Sequence, residues 1–404
     1  MPERRLVIVD PSHNSSVGHH HEVNRLLLRA LHGGGWQPEV WADVALEAVP
    51  AAPQPLLGAF SGCDYGDPQH WQSLEGNLRL ARRLESQLEE ASAHGPTVQA
   101  WLGHSLLPFQ LLGLARHLTQ AAPAQVLLSQ MFAPGETLSS GGNRQQAIVN
   151  CRIAMAALAR ACNQQGHQLR LGFPSRQQEQ LFEPLLKATG LSSQGLHPAV
   201  VGGGYQAEAP APGSAPMVLL HWGDLKMGKG RGAALKVLQQ MLELGVPPDL
   251  QGWAWLFHSH SQAALDDEEQ RLLAQASRRL PLLWLSGEQS SQTMLNSLAR
   301  CPLALFAYDP EIYAERSSGL FWQWATARSR LGLPATAVGW SKGWIAEEAA
   351  ALGLRWYSAA SEETWLDALA SASRTAGTHY SLNATGQIVL TSGFQTWCLE
   401  QLER

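Results

Sequence analysis

The chain is poor in cysteine, in charge and in long apolar runs. Its 404 residues hold five cysteines, Cys63, Cys151, Cys162, Cys301 and Cys398. They are odd in number, scattered and without a C-x-x-C pair, which excludes a disulfide framework or a zinc ribbon and reads as buried thiols in a reducing compartment. Charged residues make up 16% and the formal net charge is -5, so nothing draws the whole molecule to nucleic acid or anionic lipid. Any phosphate contact must be local. No apolar run approaches the roughly 18 residues needed to span a bilayer. The N-terminus passes from MPERR straight into LVIVD without a signal-peptide core. A cytoplasmic protein is expected, with no transmembrane segment, no nucleic-acid partner and peripheral membrane association left open. Short-period repeats and low-complexity tracts are missing too.

What is present points to two α/β domains. The length suits two cores of about 200 residues each. Apolar, β-branched runs near residues 6–10, 56–60, 98–102, 126–129 and 169–173 alternate with helical periods near 21–32, 74–93, 109–119, 144–165 and 177–188. The alternation resumes with strand-like runs near 217–222, 252–257, 282–285, 303–307 and 335–338. Residues 1–203 read as one Rossmann-like domain, 204–216 as a Pro/Ala-rich linker and 217–385 as a second Rossmann-like domain. Residues 386–404 read as a closing strand (QIVL) and helix that can pack back on the first domain. Doubly wound sheets bind ligands beyond the carboxyl ends of their strands, so the strand-to-helix loops should carry the chemistry. The 15 tryptophans are expected mostly in the core.

Five loops stand out. After Asp10, the run PSHNSSVGHHHEVN puts Ser15, Ser16 and Gly18 at a helix start with His13, His19, His20 and His21 around it. Adjacent histidines diverge and no i, i+4 pair with a carboxylate appears, so a metal is not expected. His104 ends the strand of VQAWLGHS. In the middle of the chain, MVLLHWG runs into DLKMGKGRG and then a helical pattern. Backbone N–H groups, a helix N-terminus and lysines there suit a phosphate or diphosphate. The spacing Gly223-x-x-x-x-Gly228-Lys229-Gly230 falls short of a P-loop, because Gly230 stands where the metal-binding hydroxyl belongs, although LALFAYD, ending at Asp309, is Walker-B-like. In the fourth loop, Glu315 precedes a helix start at Ser317, Ser318 and Gly319, a second candidate anion site, and Gln323 lies within that helix. The fifth, GWSKGW, sets Lys342 between two indoles.

Taken in order, these residues resemble a two-domain GT-B glycosyltransferase of the retaining family-four type. That family opens its C-terminal domain with a strand, a Gly-Arg-Leu turn and a Lys-Gly pair, matched here at Gly223, Leu225, Lys229 and Gly230, with Asp224 where the family has arginine. Its E-x(7)-E motif is matched in spacing by Glu315 and Gln323, with glutamine for the second glutamate, and its Gly-x-Pro turn by Gly332, Leu333 and Pro334. The resemblance implies two doubly wound Rossmann-like domains facing a central cleft. It implies metal-independent transfer of a sugar from a nucleotide diphosphate sugar to a hydroxyl on a glycan, lipid, protein or small molecule, with no cofactor beyond the donor. Glu315, His104 and Lys229 would then be catalytic. Gly223, Lys226, Lys229, Ser317, Ser318, Gly319 and Gln323 would hold the donor, and Gly18, His19 and His20 would frame the acceptor. The alternatives are a GT-B-like nucleotide-sugar epimerase, a degenerate member that binds without turnover, and a variant P-loop protein.

Overall fold

The computed structural model describes residues 4–15, 18–48, 54–66, 68–93, 95–138, 141–199, 207–223, 228–378 and 381–404. Within it the chain divides into two compact units, Met1–Val201 with Ser392–Arg404, and Gly202–Thr391. The first is built on a sheet of β1 (Arg4–Asp10), β2 (Trp36–Asp43), β3 (Leu56–Phe60), β4 (Ala100–His104), β5 (Gln125–Ser129), β6 (Gln168–Phe173) and β7 (Ser193–Leu196). All pairings are parallel, in the order β3-β2-β1-β4-β5-β6-β7. Parallel strands covered on both faces must be apolar throughout, and Leu6 to Val9 of β1 are fully buried. Alternate residues serve opposite faces. Val7 and Val9 meet Trp41, Trp101, Leu84 and Leu111, while Leu6 and Ile8 meet Leu27, Leu31 and the closing helix Phe394–Glu403 through Phe394, Trp397 and Leu402.

The second unit repeats the plan with six parallel strands, β8 (Met217–His221), β9 (Ala254–Ser259), β10 (Leu282–Ser286), β11 (Leu303–Phe306), β12 (Thr336–Gly339) and β13 (Arg355–Ser358). Their order is β10-β9-β8-β11-β12-β13. In both sheets the chain starts at the centre, winds outward and then restarts on the other side. Each sheet therefore has a switch point, β1 against β4 and β8 against β11, and a crevice at the carboxyl ends there.

The α/β class and the double winding expected from the sequence are present. Three strands escaped the pattern. β2 carries Pro38 and Glu39 in its middle, which argues against an interior strand. β7 and β13 are four-residue edge strands, too short for a period. The strand expected at QIVL is a π-helical turn, Gln387–Thr391, instead. No sheet edge pairs with it, and Val389 and Leu390 are fully buried, with the turn packed on the helix Gly319–Arg330. Nine of the 15 tryptophans are fully buried, so most are core. Among the described residues no helix is long and apolar enough to cross a membrane.

Candidate functional site

In the first unit the switch point is occupied by a buried polar network. β1 ends at Asp10 and β4 at His104, neighbouring strands that bring these residues side by side. The helix His19–Gly33 starts above them from Gly18, whose positive φ of 91° turns the chain into it. His20 and Asn24, one turn apart, both face Asp10. His20 Nδ1 bonds both carboxylate oxygens, at 2.8 and 2.9 Å, and Asn24 Nδ2 donates to Oδ2 at 2.7 Å. Asn24 Oδ1 accepts from His104 Nε2 at 2.8 Å, and His13 Nδ1 accepts from the Asn24 amide at 2.9 Å. The other nitrogen of His20 meets the Tyr65 hydroxyl, in the loop after β3. Gln110, fully buried, ties three loops together by donating to Ser12 Oγ and Cys63 O and accepting from the Leu107 N–H.

These contacts fix the charges. Burial alone would raise the Asp10 carboxyl, but the charge of His20, then that which His104 takes on in acid, and the His20 hydrogen bond outweigh it and hold it well below the usual carboxylate range. His20 also resists charging through burial, yet the Asp10 charge and hydrogen bond win and raise it. His104 goes the other way, pushed down to about 4, chiefly by burial. With Nε2–H committed to Asn24, neutral His104 carries its lone pair on Nδ1, which has no partner among the described residues. His104 also lines a small cavity with Ser129, Met131, His197 and Phe394, of about 10 Å³, roughly the room of one water. His19 stands beside it, its ring 5.9 Å from that of His104 and its Nε2 3.5 Å from Ser105 Oγ. Ligand atoms of Asp10, His20 and His104 lie within 4.8 Å of one another, a spacing a metal could use. The Asp10 oxygens already accept hydrogen bonds from His20 and Asn24, and His104 Nε2 is committed to Asn24 Oδ1.

In the second unit the loop after β8 begins at Gly223, and Lys226, with 224–227, lies outside the described residues. Gly223 is pinned by His258, which accepts its N–H at 3.1 Å and bonds Gly287 O at 2.8 Å, while Trp222 stacks on the imidazole at 4.4 Å. Gly228, half-buried Lys229 and Gly230 lead into the helix Arg231–Leu244. Gly230 has φ of 78°, and a Cβ there would lie 3.1 Å from the Ala307 backbone just after β11. Only glycine lets this helix start sit so near the neighbouring strand. The Asp309 N–H donates to Gly228 O at 2.8 Å, joining the two loops, and its carboxylate accepts from the N–H groups of Glu311 and Ile312. That use is a turn cap, not the metal ligand a Walker-B strand would offer.

Glu315 and Ser317 are half-buried on the same loop, and Ser318 caps the helix Gly319–Arg330 by accepting from the Phe321 N–H at 3.2 Å. Gln323 is half-buried one turn in, and Lys342 lines a small pocket with Tyr308, Tyr313, Trp340 and Trp344. So the expected acceptor-side residues Gly18, His19 and His20 come together with His104, expected as catalytic, in the first unit. Gly223, Lys229, Glu315, Ser317 and Ser318 occupy the switch-point loops of the second, and Gly319 and Gln323 the first turns of the helix that follows. Sequence reasoning missed Asp10, Asn24, Tyr65, Gln110 and His258. The i, i+4 spacing of His20 and Asn24 behind a strand-terminal aspartate was the available signal for the first two.

No family model matches the sequence, and no curated protein does. Solved structures do match, along their whole length. A trehalose-6-phosphate protein from E. coli bound with UDP-2-fluoro glucose aligns over 98% of this chain and 96% of its own, with TM-score 0.57 and 12% identity. A UDP-forming trehalose-phosphate synthase from Burkholderia xenovorans aligns over 99% of each chain, with TM-score 0.58 and 12% identity. A trehalose-6-phosphate synthase studied for glycosyl transfer with retention aligns over 98% of this chain and 95% of its own at TM-score 0.53 and 10% identity. The chain has the GT-B fold. At these identities the likeness extends to the fold, so the GT-B assignment stands on architecture and the family-four subtype does not follow from it.

Proposed function

We propose that this GT-B protein is a glycosyltransferase that moves a sugar from a nucleotide diphosphate sugar to a hydroxyl acceptor with retention of anomeric configuration. The observation that carries the reading is that both switch points of one chain are equipped, one with a Lys-Gly helix start and the other with a buried Asp-His-Asn network. The full-length likeness to enzymes whose structures name UDP, a UDP-sugar or retention supports it. Departure of the diphosphate builds negative charge, and in this reading Lys229, the Gly230 helix start and the helix start at Ser317, Ser318 and Gly319 stabilise it without metal. Gly223 and Lys226 frame the same group, Gln323 holds the ribose and Glu315 orients the transferred sugar. On the acceptor side, Gly18, His19 and His20 frame the acceptor. Its hydroxyl must lose a proton as its oxygen bonds to the sugar, and in this reading neutral His104 takes it on Nδ1, a buried lone pair without a partner among the described residues. Five free cysteines, all buried, agree with a cytoplasmic setting.

Thermal-shift and calorimetric titration with UDP, GDP and ADP, with and without Mg²⁺, tests the reading together with a search for sugar transfer or donor hydrolysis. Metal-independent stabilisation by one nucleoside diphosphate and release of that diphosphate from its sugar conjugate are expected. Binding without any turnover would leave a degenerate member, and no nucleotide response at all would remove the proposal.

A further inference from the structure

We propose that a pocket in the first unit, between loop 61–66 and the helix Leu74–Ser92, seats a hydroxylated anion, a sugar phosphate or sugar acid. It rests on the glycosyltransferase reading in that the anion would be part of the acceptor. The pocket has a volume of about 360 Å³ and is lined by Gly62, Asp64, His70, Trp71, Arg79 and Arg83, among others. Arg79 and Arg83 stand one turn apart on the same helix face, both exposed. Neither has a carboxylate within ion-pair reach among the described residues; Arg83 makes one long contact, 3.5 Å, to Ser61 Oγ. Two like charges one turn apart without an ion pair repel each other, a bound anion would relieve that, and paired guanidinium forks match the oxygens of phosphate or carboxylate.

The pocket is built into the loop by specific residues. Gly62, at φ of 58°, would place a Cβ 3.1 Å from Arg83 Nη1, so the missing side chain lets the guanidinium lie against the loop. Gln87 fixes loop to helix by accepting from Ser61 N–H and Cys63 S–H and donating to Ser61 O. The remaining lining chemistry argues for hydroxyls beside the anion. Asp64 offers acceptor oxygens, and buried Trp71 and Leu80 form an apolar floor suited to the face of a sugar ring. Tyr65 lies between Asp64 and Gly66 in this loop and reaches His20, so a ligand here sits one residue from the Asp10 network.

Isothermal titration of the full chain with glucose 6-phosphate, glucuronate, inorganic phosphate and glucose tests the proposal, repeated on Arg79→Gln, Arg83→Gln and the double variant. Both substitutions are at exposed positions, and an unchanged melting temperature verifies folding. Glucose 6-phosphate or glucuronate should bind, the tighter of the two naming the anion. Each single variant should weaken it roughly tenfold or more, and added salt should weaken it further. Unchanged anion binding in the double variant overturns the proposal. So does phosphate binding as tightly as glucose 6-phosphate, glucose binding as tightly as either, or no binding at all. UDP titration of the same variants separates the two readings. A protein that binds the sugar anion through the arginines but no nucleotide keeps the pocket and loses the transferase. Transfer by the double variant with wild-type acceptor KM does the reverse.

Discussion

The two units wind their strands in the same order yet furnish their switch points in opposite ways. In the first, β1 ends in a buried aspartate whose charge is balanced by His20 and distributed through Asn24 to His104 and His13. In the second, β8 ends at His221 and the loop beyond offers glycines, a lysine and helix-start N–H groups. The first crevice is a fixed arrangement of side-chain charge, costly to disturb because each member satisfies another. The second is a backbone cradle with a lysine at its helix start, suited to a ligand that brings its own negative charge. One fold thus supports two kinds of recognition, and the separation can be probed residue by residue.

The largest effect should come from Asp10→Asn. It removes the charge that favours protonation of His20 and breaks a buried, hydrogen-bonded pair on one side, a class of change worth about 3–5 kcal/mol. Denaturant unfolding should show that loss, and transfer should fall with it. Stability within about 0.5 kcal/mol of wild type would mean that the network is not charged as described. Lys229→Ala is the corresponding break in the second unit. There the loss should fall on turnover, at least roughly tenfold, while the melting temperature stays put, because a half-buried lysine at a helix start supports a ligand's charge and little of the core. Near-wild-type turnover would remove its assigned role.

The same contrast explains what was legible in advance. Strand-to-helix alternation exposed the double winding, since parallel strands buried on both faces must be apolar runs, and the carboxyl-end rule then drew attention to the loops holding His20, His104 and Lys229. The second unit's residues were visible because glycine and lysine spacing within one short segment carries the signal. The first unit's network was not, because its members come from three separate strand ends. Tyr65 reaches Asp10 by way of His20, 45 residues away in sequence, and Gln110 braces the loop after Asp10 through Ser12, 98 residues away. Pro38 hid β2 for a related reason, since its place inside a sheet depends on β1 and β3, which local preference does not see.

Acid should separate the units next. His13, His104, His117 and His197, all in the first unit, are held down to about 4, each chiefly by burial. Between the ordinary value of 6.5 and about 4 the unfolded chain therefore binds more protons than the folded one, and stability falls as pH drops through that window. Each histidine contributes on the order of 1–3 kcal/mol there. His20 opposes this. Its raised value adds stability that is fully present below 6.5 and fades as pH rises through its folded value. Calorimetry from pH 7 to pH 4 should show the melting of the first unit moving down ahead of the second. A single transition shifting uniformly would mean that the units unfold together or that these imidazoles are solvent-exposed.

The smallest and sharpest test lies in the second unit, at Gln323. As a neutral amide it can bond a ribose's hydroxyls, but a carboxylate accepts the same hydrogen bonds with charge assistance, which roughly doubles their strength. Gln323→Glu should therefore leave nucleotide affinity unchanged or strengthen it a few-fold. The side chain is half-buried near the start of the helix Gly319–Arg330, where the helix dipole favours a negative charge, so the fold should tolerate it. The diphosphate at the same helix start would be repelled by a glutamate placed too near it. Weaker binding by tenfold or more, read by calorimetry with the nucleoside diphosphate, would put residue 323 beside the phosphates instead of the ribose. The pairing of Glu315 with Gln323 would then be a coincidence of spacing, and the donor cradle would have to be rebuilt around Lys229 and Ser318.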